Sequence, residues 1–87
     1  MKFQGALIKE KGVTFGIIIV KAFVLNQPST SNEMRNFGMR VFGTVPIILM
    51  AQNSKGVPTY QGRKDIVEFL SRIPVNAIPW REYTVSC

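Results

Sequence analysis

The chain has 87 residues, 46% of them hydrophobic and 18% charged, with 11 basic side chains against 5 acidic ones and no histidine. That length makes one domain, 1–87, because a typical domain takes roughly 100–150 residues and two cores do not fit. Without histidine the usual general base near neutral pH and the commonest metal ligand are both missing, and the only cysteine, Cys87, excludes an intrachain disulfide, a C-x-x-C pair and a cysteine zinc site.

Residues 2–9 read as a first strand, with Phe3, Leu7 and Ile8 apolar and Gln4 and Lys9 polar. Glu10-Lys11-Gly12 closes a hairpin, Gly12 supplying the left-handed backbone that such loops need. The run from Val13 to Leu25 is dense in β-branched and aromatic residues and apolar at both period-2 faces, which predicts one long strand buried on both sides. Asn26-Gln27-Pro28 ends it. Thr30 with Glu33 fits a capping box, and Met34, Phe37, Gly38, Val41 and Phe42 form an apolar stripe, predicting a helix over 31–42. Gly38 on that stripe allows close approach to the sheet, and Gly43 is a natural C′ residue in the αL conformation.

After Thr44-Val45-Pro46, the run Ile47 to Ala51 is a buried strand, Asn53 to Gly56 a turn, and Val57 to Gln61 a shorter strand. Pro58 cannot donate to a ladder, which places it at the strand's start or on an edge. Ile66, Phe69, Leu70 and Ile73 recur at helical spacing in residues 63–73, and Pro74 stops that helix. Residues 75–87 form an extended tail with a short strand expected at 82–85. The expected architecture is α+β in the order ββαββα, a mostly antiparallel sheet with two helices on one face.

The segment Thr44 to Ile73, about a third of the chain, resembles the C-terminal half of the thioredoxin and glutaredoxin fold. The resemblance rests on Thr44-Val45-Pro46 before a strand, a hairpin, Gly62 and an amphipathic closing helix. It implies a cis Val45–Pro46 bond, with the backbone of Val45 and Pro46 offered to an extended peptide. The redox Cys-x-x-Cys and its βα unit are absent, so redox activity is not carried over. Otherwise the chain is similar to the many small bacterial proteins of uncharacterised role.

The acids are Glu10, Glu33, Asp65, Glu68 and Glu82, and only Asp65 and Glu68 lie close in sequence, as solvated charges at i,i+3. The inventory points away from catalysis, and neither a cofactor nor a metal is expected. No signal peptide is legible, and the longest apolar stretch, Phe15 to Leu25, contains Lys21 and falls short of the ~20 residues a membrane helix needs. The expectation is a cytoplasmic protein without membrane contact.

Three candidate sites emerge. An anion site would gather Lys55, Tyr60, Gly62, Arg63 and Lys64 at the start of the second helix, where backbone donors and cations suit phosphate. It is not a Walker A loop, since Gly56 to Gly62 has one residue too many and Asp65 stands where Ser or Thr is required. A nucleic-acid face would use Arg35, Arg40, Arg63, Lys64, Arg72 and Arg81 with stacking by Trp80 and Tyr83, against the simpler reading of a mildly basic surface with Trp80 anchoring the tail. The doubly apolar strand 13–25 suggests a homodimer burying a face that one helical layer leaves bare, unless the N-terminal strand and the tail cover it. Three functions follow in order: a dimeric, non-enzymatic module binding a protein or peptide by strand addition, a nucleic-acid-binding module, and a small-anion site.

Overall fold

In the computed structural model, which describes residues 2–84, a five-stranded mixed sheet lies between two layers of helix. β1 (Lys2–Glu10) and β2 (Val13–Ile19) form an antiparallel hairpin closed by Lys11 and Gly12, whose φ values of +49° and +80° are those of a type I′ turn. The chain then passes through α1 (Ala22–Leu25) and α2 (Pro28–Phe42) to β3 (Ile47–Gln52), which pairs parallel to β2. β4 (Pro58–Gln61) folds back antiparallel on β3 and leads into α3 (Lys64–Leu70). A 3-10 turn at Val75–Ala77 delivers β5 (Arg81–Thr84) to the far side of β1. The spatial order is β4-β3-β2-β1-β5, with β4 and β5 as edges.

The α+β class and the mostly antiparallel sheet agree with the sequence, but the placement of both helices on one face is corrected. Ile18, Ile47 and Leu49 pack with Met34, Phe37, Val41 and Phe42 of α2, whereas Phe15, Ile17, Ile48 and Met50 pack with Ile66 and Leu70 of α3. Neighbouring residues of one strand point to opposite faces, so α2 and α3 lie on opposite sides. Ile78, Val75 and Trp80 help cover the α3 face. The bare apolar face that motivated a dimer is therefore filled within the chain.

The expected strand over 13–25 is also corrected: it stops at Ile19, and Ala22–Leu25 is a helical turn. A parallel neighbour is reached only through a crossover, so the chain must leave the sheet here. Val20 donates the last bond to Met50 O, and Val24 is buried on the α2 side because it packs there, not because it extends the ladder. α2 begins three residues before the expected start, with Pro28 in its first turn, and the Thr30–Glu33 capping box does not cap it. Thr30 Oγ1 donates to Gln27 Oε1, and buried Ser31 donates to Val24 O at 2.6 Å, tying α2 to α1.

Gly38 does bring α2 against the sheet, since a Cβ there would stand 2.8 Å from Ile18 Cδ1 and 2.9 Å from Ile47 Cγ2. Gly43 ends the helix with φ +94° and ψ −176°, a positive φ but not αL. α3 is shorter than the sequence pattern suggested, ending at Leu70 with Ser71 as its cap. β5 begins one residue early at Arg81; the end of the expected strand at 85 lies outside the described residues, as does Cys87. No helix among the described residues is long and apolar enough to cross a membrane.

Candidate sheet-edge site

The five residues of the expected anion site do not converge. Lys55 sits in the turn before β4 and Gly62 just after it, so about 20 Å of extended chain separates them. Arg63 Nε is 2.8 Å from Asp65 Oδ1, so one of the three cations already has an anion. Gly62 is needed for packing, because a Cβ there would strike Ile48 Cδ1. Tyr60 points to the α3 side, where its hydroxyl is buried without a hydrogen-bond partner and burial raises its pKa above the ordinary phenol value.

The expected nucleic-acid face is divided by the sheet. Arg35 and Arg40 stand on α2, and Arg81 borders Val41 and Phe42 on the same side, whereas Arg63, Lys64 and Arg72 accompany α3 on the other. Arg35 Nη2 donates to Gln61 Oε1 at 2.6 Å, and Arg40 lies 6.0 Å from the Phe37 ring centroid. Trp80 anchors the tail, its indole N–H donating to Val75 O at 2.9 Å. Tyr83 stacks on Phe3 with centroids 5.2 Å apart and meets Phe42 edge-on, under α2. The two aromatic rings thus serve opposite layers of the core and do not form a common stacking platform.

The Val45–Pro46 bond is trans, against the cis bond that the thioredoxin resemblance implies. The Val45 N–H donates to Gly43 O and the Pro46 carbonyl accepts from Gly16 N–H, so both groups are engaged within the chain. Both side chains are half-buried.

A cleft of about 290 Å³ that the sequence did not reveal lies between the β1–β2 turn and α3. Its floor is Val13, Phe15 and Phe69, and its rim carries Glu10, Asp65 and Glu68 with Lys11 and Arg72. Among the described residues no group of three His, Cys, Asp or Glu is placed to hold a metal ion.

Unfilled bonding capacity lies along the outer edge of β4. Val20 N–H donates to Met50 O, so Met50 directs its backbone groups to β2, and Leu49 and Ala51 direct theirs to β4. Their partners Gln61 and Thr59 face β3, as does Val57, whose carbonyl accepts from Asn53 N–H. Pro58 and Tyr60 therefore point outward. The Tyr60 N–H and C=O and the Pro58 C=O have no hydrogen-bond partner among the described residues. No charged side chain occurs from Gly56 to Gly62, and Val57 is 55% exposed beside the edge.

The opposite edge is different. β5 pairs with β1 only from Lys2 to Gly5, and this side carries Lys2, Lys9, Arg81 and Glu82, with Lys2 and Glu82 3.8 Å apart. Charge on an edge discourages strand pairing, and of the two edges only β4 lacks it, its limits on pairing being Pro58 and a length of 4 residues. The sequence signal was present in the uncharged Val57-Pro58-Thr59-Tyr60-Gln61 segment; which groups point outward required the ladder register. Compared with known proteins, the chain matches no family model, no curated protein and no solved structure at a significant level.

Proposed function

We propose that this chain is a non-enzymatic protein-association module that accepts an extended polypeptide strand along the outer edge of β4. The observation that carries the reading is the uncharged edge with three outward backbone groups, one donor and two acceptors, left open by Pro58 and Tyr60. Main-chain bonds of this kind supply affinity in strand addition, and flanking side chains supply selectivity. Pro58 supports selectivity, since it offers an acceptor and no donor and so favours some registers over others. Both sheet faces are occupied by helices, which leaves edges as the places where the sheet itself can grow.

A display library of random decapeptides selected against the immobilised protein tests this. Selected peptides are then titrated into the ¹⁵N-labelled chain. The expected result is amide shifts centred on Tyr60 and its neighbours, with slowed hydrogen exchange at Tyr60. Peptides that bind but shift only residues of the α3 cleft would overturn the reading, as would a selection that enriches nothing while the Tyr60 amide exchanges freely at every protein concentration.

A further inference from the structure

We infer that the strand received by β4 is β4 of a second copy of this chain, antiparallel about a twofold axis through Tyr60; the inference rests on the strand-addition reading. Two registers deserve comparison. With the axis at Thr59, Pro58 would face Tyr60 of the second copy, and the Tyr60 carbonyl would find no donor because proline has none. With the axis at Tyr60, each Tyr60 exchanges both of its bonds with its symmetry mate. The missing Pro58 N–H then falls opposite Gly62, past the last ladder residue, Gln61. The proline thereby rules out the Thr59 axis, and the Tyr60 axis satisfies both outward groups of Tyr60.

The side chains agree with that arrangement. No charge lies between Gly56 and Gly62, so no like charges meet across the axis. Thr59 comes opposite Gln61 of the second copy, as a polar pair with Cβ atoms about 5 Å apart. A twofold pairing also closes on itself: both β4 edges are consumed, and the resulting ten-stranded sheet ends on the charged β5 edges.

Arg35 makes the register testable by charge. It holds Gln61 Oε1 at 2.6 Å, so a charge at position 59 of one copy approaches Arg35 of the other. Thr59 is exposed, so substitution there spares the core. The experiment compares the wild type, Thr59→Lys and Thr59→Glu by sedimentation equilibrium, with thermal unfolding to verify the fold and Tyr60 amide exchange at several protein concentrations.

The wild type is expected to sediment as two chains, with Tyr60 protection that rises with concentration. Thr59→Lys weakens association about tenfold, through two symmetric like-charge contacts, while Thr59→Glu leaves it unchanged or tighter. A wild type that stays a single chain at millimolar concentration, with Tyr60 exchanging freely, overturns self-pairing. In that event display-selected peptides that shift Tyr60 would leave strand addition standing with another occupant. A dimer indifferent to the sign of the charge at 59 overturns the register and the β4 interface with it.

Discussion

At the scale of single residues, the Tyr60 hydroxyl is a buried side-chain group without a hydrogen-bond partner among the described residues. A buried hydroxyl that makes no hydrogen bond costs free energy, so Tyr60→Phe should leave stability at pH 7 unchanged or raise it by up to about 1 kcal/mol, read from urea midpoints. Burial raises the folded-state pKa of this phenol, so above the ordinary phenol range the unfolded chain loses the proton first. The folded state then binds more protons than the unfolded one, and stability falls as pH rises toward the folded-state pKa. The wild type should accordingly lose more stability than Tyr60→Phe between pH 9 and pH 11, and parallel curves for the two would remove the effect. Gly5 is constrained differently. A Cβ there would run into the Ile17 carbonyl of the neighbouring strand and crowd Phe3. Because backbone yields less readily than a side-chain tip, Gly5→Ala should cost about 2–3 kcal/mol in urea unfolding.

Among the elements, the β1–β2 turn offers the simplest gain. Lys11 adopts φ +49°, a conformation in which Asn is enriched and a lysine is not. Lys11→Asn should stabilise by about 0.5–1 kcal/mol, seen as a rise of several degrees in the thermal midpoint. This turn was legible because Gly12 follows a polar pair between two apolar runs. So were the α2 stripe, the close approach at Gly38, and Pro58 at the start of an edge strand. The run from Val13 to Leu25 misled because apolar density alone does not separate a strand from a turn packed under a helix. Val24 is apolar for the sake of α2, and nothing local announces that β2 has already made its last bond at Val20. The start of α2 was obscured for a related reason: three consecutive hydroxyl residues, Ser29, Thr30 and Ser31, all suit a cap, yet Pro28 fits the first turn ahead of them.

For the molecule as a whole, the decisive fact is that the helices occupy both faces of the sheet. The sequence held a trace of it, since strands 13–19 and 47–51 are apolar on both period-2 faces, but the side to which each connection crosses is fixed only by packing. The nucleic-acid face, assembled from residues on both helices, was dispersed for that reason. The β4 edge escapes that division, because its residues are consecutive. One consequence concerns polyanions: with the cations divided between two faces, a single nucleic-acid strand reaches only one set. Binding to poly(U) should therefore show a slope of log K against log salt no steeper than about −2, corresponding to roughly three phosphate contacts. A slope near −4 would mean that cations from both faces act together. The last consequence comes from the β1–β5 ladder, in which Lys2 stands opposite Thr84. Positions 2 and 84 are thus neighbours across one rung, and covalent order is separable from spatial order in this fold. A short peptide joining them, with the chain reopened in the Asn53–Gly56 turn, would keep every rung of the sheet while making β4 the leading segment of the polypeptide. The edge we assign to association would then emerge first from the ribosome, and its partner strand β3 last.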